Sequence, residues 1–523
     1  MAFISTNGPI AVTAYGVIRG FTDGLVKVFK GVPYAASTAG NNRWLPPKRP
    51  SSWSGIRDAR KPGPMCPQQF GAPMPEETDL LQRGPTSEDC LNLNIFTTDI
   101  GSQSKKRPVM VWLHGGGYEA GSPNATSYDG RNLADRHDVV LVAVAHRLNV
   151  FGFLYLGALF GPTYADSGNV GMLDIVAALQ WVKGNIAEFG GDAENVTVFG
   201  ESGGGQKIST LLAMPVAQGL FKRAILQSYA DVRSQDLKQS AHSAEILLDA
   251  LRVRTLEELK AIPDPRLLEA MESTHFQSGT AVDGRVLPVH PFDPAAPASS
   301  MDVPIMLGTL ETEATFFPTT PLDPISDSEF GALLKAATQS SDADVAQLIE
   351  ICRRANPGKD NTYLYQLIVS QVEFRDNLET VAERKAIQGG APVYMYYFTQ
   401  HTTARGGKLR APHTLDIPYV FDNLAGAEPI VGAITSAEQA LAGAVSETWA
   451  AFARTGNPNN PKIPFWPAFN PETRPTMIID DEFNVVNDPL RDMRIAVRRL
   501  RDKRISGATE SLLRYGDYEN PGH

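Results

Sequence analysis

The sequence predicts an α/β fold with a large, mostly parallel central β-sheet, helices on both faces and helical insertions that cap it. Three observations predict this. Short apolar, β-branched runs alternate with helical patterns along most of the chain. One such run, Val196-Thr197-Val198-Phe199, passes through a glycine-rich turn straight into a helical stretch ending Leu211-Leu212-Ala213-Met214. The composition, 42% hydrophobic and 20% charged over 523 residues, supplies an ample core for a globular protein.

The elements follow in chain order. Val26-Lys27-Val28-Phe29 reads as a short strand leading into Gly31-Val32-Pro33-Tyr34, with a proline-rich loop after Trp44. Further strands are expected at 108–113, 139–146, 196–199, 223–228, 303–308, 392–399 and 475–480, each a short run dominated by aliphatic or aromatic residues. From about 236 to 385 helical patterns dominate, as in Ala244–Leu251, and are expected to form part of a cap over the cleft.

Charge and hydropathy exclude several function classes. A net charge of −10 argues against a nucleic-acid surface. The main basic cluster, Arg494 through Arg498-Arg499-Leu500-Arg501-Asp502-Lys503-Arg504, is broken by Ile495, Val497, Leu500 and Asp502, and reads as a solvated helix face. The strongest apolar run, Val139–Ala145, is strand length, far below the ~18 residues of a membrane span.

The chemistry is concentrated in two glycine motifs, each behind a strand. In Gly200-Glu201-Ser202-Gly203-Gly204 the strand–turn–helix context places Ser202 on a strained turn, with its Oγ projecting into a cleft. Ser202 is the candidate nucleophile. A serine hydroxyl needs a base, an orienting acid and an oxyanion hole. His114-Gly115-Gly116-Gly117-Tyr118, after the strand Pro108–Leu113, offers the hole, and the Gly203 N–H a further donor.

The chain resembles the type-B carboxylesterases, the family of carboxylesterases, cholinesterases and several microbial lipases. Besides the serine motif, the resemblance rests on Ser87-Glu88-Asp89-Cys90-Leu91-Asn92-Leu93-Asn94, Gly168–Asp174, Ala178–Val182 and Phe189-Gly190-Gly191-Asp192. Its blocks run in order from about Gly31 to Pro458, with no low-complexity linker, so residues 1–523 are expected to form a single α/β-hydrolase domain.

The resemblance implies roles for particular residues. Glu313, before Ala314-Thr315-Phe316-Phe317, would be the acid; Glu311 is its nearest rival, but its spacing from Gly308 and Phe316 is wrong by two. His413, before Leu415-Asp416-Ile417-Pro418-Tyr419-Val420-Phe421, would be the base. Gly116, Gly117 and Gly203 N–H groups would hold the oxyanion, and no metal or organic cofactor is implied. Glu201 would tune His413, or is simply an acid favoured by a helix N-terminus. Phe316 and Phe317 would line the gorge or pack in the core. Cys66 and Cys90 match positions that the family joins by a disulfide, whereas Cys352 has no partner.

Departures from the family fall around substrate recognition. No tryptophan lies between Cys66 and Cys90, where Phe70 is the aromatic residue, so a choline-ester specialist is not expected. Tyr229-Ala230-Asp231-Val232-Arg233 replaces the usual small residues of the acyl pocket, and Asp231 and Arg233 either line it or pair in solvent. Tyr118 replaces a phenylalanine, and Gly203 an alanine.

The expected function is hydrolysis of carboxylic esters through an acyl-enzyme on Ser202, with a small-molecule ester and water as partners. A lipase, a narrow-specificity biosynthetic or detoxifying ester or lactone hydrolase, and an acyltransferase share the same triad. A non-catalytic cholinesterase-like binding protein is disfavoured, because serine and histidine are both present. The N-terminus shows no signal-peptide pattern, which inclines the reading to the cytoplasm, with secretion as the alternative. Oligomeric state is not legible.

Overall fold

A computed structural model describes residues 8–69, 84–101 and 105–507, without the side chains of 504–507; Phe70 and His523 fall outside it. Its centre is one sheet of eleven strands. In chain order these are β1 (Phe21–Asp23), β2 (Val26–Pro33), β3 (Asn92–Thr97), β4 (Arg107–Leu113), β5 (Val140–Val144), β6 (Gly191–Glu201), β7 (Arg223–Gln227), β8 (Ile305–Leu310), β9 (Val393–Phe398), β10 (Pro475–Ile479) and β11 (Asn484–Asn487). Every expected strand is present, with ends shifted by a few residues; β6 begins five residues earlier, at Gly191.

Across the sheet the order is β11-β10-β9-β8-β7-β6-β4-β5-β3-β2-β1. All pairs from β10 to β5 are parallel. The remaining pairs at both margins are antiparallel. The parallel part is buried on both faces, which is why its strands read as continuous apolar runs rather than alternating ones. Along β4, Val109, Val111 and Leu113 join one core. Met110 and Trp112 point the other way, into a second. The helices Val170–Asn185 and Gly203–Ala213 cover the first face through Met172, Ile175, Leu179, Ile208 and Leu211. The helix Ser436–Thr455 covers the second through Val445, Trp449 and Phe452.

The chain leaves β4 for β5 on one side and returns to β6 on the other. The carboxyl ends of β4 and β6 therefore flank a topological switch point, where the connections diverge and a crevice opens. Both glycine motifs sit there.

The stretch 236–385 is rich in helices, and β8 passes through its middle. Helices after β8 build a third, smaller core in which Phe330, Leu348 and Leu364 meet Met493 and Val497 of the C-terminal helix Arg491–Gly507. Cys352 is one of its apolar members. Between the helices Asn361–Ser370 and Asp376–Gln388, residues 371–375 form a π-turn, a wider coil common at functional sites.

Two sequence expectations change. The basic cluster is only in part a solvated face: Arg499 and Lys503 are exposed, but Arg498 and Arg501 reach Asp376 at 3.1 and 2.6 Å, and Arg498 also meets Glu383. The cluster docks the C-terminal helix onto an acidic helix. The second concerns Cys66 and Cys90, which are free, buried thiols rather than a disulfide. A hydrogen bond to Cys66, together with burial, holds the Cys90 thiol well above its ordinary pKa. The loop between them is closed by backbone instead, through a bridge from Met65 to Thr86 with hydrogen bonds of 3.1 and 2.8 Å.

A buried ion pair ties the switch-point side of the core together. Arg147, just after β5, donates to Asp174 through Nε at 2.8 Å, Nη2 at 2.7 Å and its backbone N–H at 3.0 Å. Asp174→Ala would leave that guanidinium buried without its acid, and should cost roughly 3–5 kcal/mol in denaturant unfolding. Unfolded without reductant, the chain should titrate three thiols with a thiol reagent.

Candidate active site

Four segments meet at the carboxyl ends of β4, β6, β8 and β9. The turn after β6 holds Ser202 at φ 53° and ψ −121°, a strained conformation for a residue with a side chain. Its N–H donates to Gln227 O at 2.9 Å, and Gln206 N–H donates to its carbonyl at 3.1 Å, so the turn is fixed on both sides. Ser202 itself is only half-buried.

Opposite it lies the glycine loop after β4. Gly116 and Gly117 adopt φ of 82° and 59°, the left-handed region. Their carbonyls are engaged elsewhere: Gly116 O accepts from Glu119 and Ala120 N–H at 3.1 and 3.0 Å. Gly117 O accepts from Lys207 Nζ at 2.5 Å. Among the described residues, the N–H groups of Gly116, Gly117 and Gly203 donate to no protein acceptor.

The strand β8 ends at Leu310, and a tight 3-10 turn over Glu313–Phe316 buries Glu313 completely. Glu313 Oε1 accepts from Leu310 N–H at 2.8 Å, and Oε2 lies 2.6 Å from His413 Nδ1. His413 also donates its backbone N–H to Glu313 O at 3.2 Å. Glu311, the rival acid, turns outward to Tyr363 Oη at 2.8 Å and His401 Nε2 at 2.5 Å. The imidazole's other nitrogen, Nε2, lies 3.1 Å from Glu201 Oε1. Glu201 precedes Ser202 in the chain, so the histidine bridges the β6 turn to the β8 turn.

The electrostatics are those of a crowded buried site. Burial pushes the Glu201 carboxyl up to about 8, against the pull of His413. Burial alone would lower His413, but Glu201 and Glu313 outweigh it and hold the imidazole up at about 9. A third acid, Asp416, is buried nearby and raised to about 6 by burial and by Glu313. Gln227 Nε2 and Tyr396 Oη donate to its Oδ2 at 2.9 and 3.1 Å.

Aromatic rings roof the histidine. Phe316, Phe317 and Phe374 have centroids 5.9, 5.6 and 5.1 Å from the imidazole, and Tyr229 packs 5.7 Å from Phe374. Phe374 was not legible in the sequence, because the π-turn that delivers it has no apolar period of its own. Lys207 and Asp416 were also missed, although Asp416 lies within the histidine block. The Tyr118 hydroxyl donates to Asp231 at 2.7 Å and its ring packs on Phe153. Asp231 and Arg233 do not pair. Asp231 also accepts from Gln206 at 2.9 Å, while Arg233 meets Asp293. A separate cleft of about 880 Å³, lined by residues including Asp23, Arg131, Arg136 and Asp422, contains none of these groups.

Residues 7–498 match the sequence model of the Carboxylesterase family. The chain belongs to this family. It is 36% identical over 500 residues to para-nitrobenzyl esterase of Bacillus subtilis (strain 168), covering 93% of this chain and 97% of that one. Cocaine esterase of Homo sapiens is 32% identical over 503 residues, covering 86% and 82%. Among solved structures, the carboxylesterase of Geobacillus stearothermophilus superposes with a TM-score of 0.80 at 36% identity, over 93% of this chain and 99% of that one. The fold is therefore that of the α/β-hydrolases, and the protein is a carboxylic-ester hydrolase. No helix among the described residues of this carboxylesterase is long and apolar enough to cross a membrane.

The charge on Glu201 is one of the causes that raise His413. In Glu201→Gln the imidazole should therefore lose its proton at lower pH than in the parent protein, as followed by NMR of imidazole-labelled samples.

Proposed function

We propose that this carboxylesterase cleaves esters through an acyl-enzyme on Ser202, with His413 as base and Glu313 as the orienting acid. The observation that carries this reading is the 2.6 Å contact between His413 Nδ1 and the buried Glu313, at the mouth of the turn bearing Ser202. His413 Nε2 takes the serine proton as Oγ attacks the ester carbonyl, and Glu313 stabilises the imidazolium that results. The carbonyl oxygen, now negative, meets the unengaged N–H groups of Gly116, Gly117 and Gly203. By analogy with measured donors, each is worth ~3 kcal/mol in the transition state. His413 then protonates the leaving alcohol, and water attacks the acyl-enzyme by the reverse route. Glu201, at Nε2, competes for the same proton and sets how readily the histidine takes it.

The ester itself is read from the roof. Phe316, Phe317, Phe374 and Tyr229 offer apolar and edge-on aromatic contacts, and Tyr118 has its hydroxyl engaged by Asp231. This favours moderate-sized, largely apolar esters, and the name of the Bacillus relative, a para-nitrobenzyl esterase, is in keeping with an aromatic alcohol.

A series of p-nitrophenyl esters from acetate to palmitate tests the proposal. Turnover should peak at short acyl chains and fall roughly 10⁴- to 10⁶-fold in Ser202→Ala. A peak at palmitate would make the enzyme a lipase. A fluorophosphonate probe that fails to label Ser202 would overturn the nucleophile assignment.

A further inference from the structure

Lys207 lies on the helix that follows Ser202, with its side chain wholly buried. Its ammonium turns back beneath the glycine loop, donating to Gly117 O at 2.5 Å and to His114 O at 3.4 Å. It lies 5.4 Å from the centre of the Tyr118 ring. Among the described residues it forms no ion pair; Asp231 and Glu201 act on it only through space. An apolar side chain of similar length would fill the same space without desolvating a charge. Packing therefore gives no reason for a lysine here.

The opposite side of the same loop supplies a second observation. A Cβ on Gly203 would lie 2.2 Å from Gly117 O and 2.5 Å from Gly117 N, so the loop rests directly on a bare Cα. With Gly116 O tied to Glu119 and Ala120, and Gly117 O tied to Lys207, both peptide planes that flank Gly117 are held. The Gly117 N–H has no freedom to swing away from the cleft.

We propose that Lys207 is a positioning residue for ester hydrolysis: bound to the Gly117 carbonyl, its ammonium fixes the glycine loop so that the loop N–H groups face the oxygen of the attacked carbonyl. This rests on the reading of Ser202 as nucleophile. The ammonium also polarises the peptide it holds and places a positive charge where negative charge develops, inside a site that water does not screen. Glu201, Asp231, His114, His146 and Tyr118 are the titratable groups that face it. Burial draws Lys207 down to about 7, with Asp231 and Glu201 opposing, so an oxyanion forming nearby favours its charged form. The stacked His114 and His146, 4.9 Å apart, stay neutral because burial and Lys207 both lower them.

The test compares Lys207→Met, Gly203→Ala and the double variant on p-nitrophenyl acetate, with phenylboronic acid as an analogue of the tetrahedral state and Ser202→Ala as control. Lys207→Met should lower kcat roughly 10- to 100-fold and weaken boronate binding by a similar factor, with KM within about twofold. Gly203→Ala should do the same from the other side of the loop. Because both act on one peptide, the double variant should be little worse than the poorer single. Single-variant kcat and boronate affinity within about twofold of the parent, or losses that multiply in the double, would overturn the proposal. Should Lys207→Met fail to melt cooperatively, Lys207→Gln, which removes the charge but keeps a polar side chain, decides by the same two readings. An inert Ser202→Ala beside an unimpaired Lys207→Met removes only the lysine's role; an active Ser202→Ala removes the nucleophile assignment beneath it.

Discussion

The turns that follow β4 and β6 pass each other backbone to backbone, and the rest of the site depends on that closeness. A Cβ on Gly204 would lie 2.0 Å from Leu113 O, and one on Gly203 would lie 2.2 Å from Gly117 O. Any side chain at either position would force the two turns apart. The closeness fixes the strained Ser202 turn against the strand ends and brings Glu201 within reach of His413. It also aims the loop carbonyls away from the cleft, which leaves the N–H groups unengaged. Such a pocket is created by the strand order: β4 and β6 are neighbours whose connections leave in opposite directions.

Into this tight space the fold packs three carboxyls, an imidazole and a lysine. Glu201, Glu313 and Asp416 gather around His413, and Lys207 lies under the adjoining loop. Burying so many ionisable groups opposes folding, since each leaves water for partial compensation. The buried Arg147–Asp174 pair and the two apolar cores on either face of the sheet form the frame around them. Glu201 and His413 are both raised, but for different reasons: burial lifts the carboxyl against the pull of the imidazole, whereas the charges of Glu201 and Glu313 lift the imidazole against its burial.

The periphery reaches the site through a chain of contacts. The basic face of the C-terminal helix pairs with Asp376 and Glu383. Those acids lie on the helix that continues the π-turn, and the π-turn carries Phe374 to within 5.1 Å of the His413 ring. Charges that look like surface decoration in the sequence thus anchor the element that roofs the histidine.

The sequence by itself determined the strand series, the glycine motif around Ser202, the loop at Gly115–Gly117 and the family. Local rules decide these: apolar runs of strand length announce buried strands, and glycines announce turns whatever the rest of the chain does. The resemblance already prefers Glu313 to Glu311 by spacing; what only the tertiary structure adds is that Glu313 is buried against a partner 100 residues away, while Glu311 turns to His401. The tertiary structure alone left Cys66 and Cys90 as thiols, turned Asp231 toward Tyr118, and brought Lys207 and Phe374 to the site. In each case the deciding contact is between residues far apart in the chain. No local pattern encodes a long-range contact, and the closure of the sheet and its helices is what creates it.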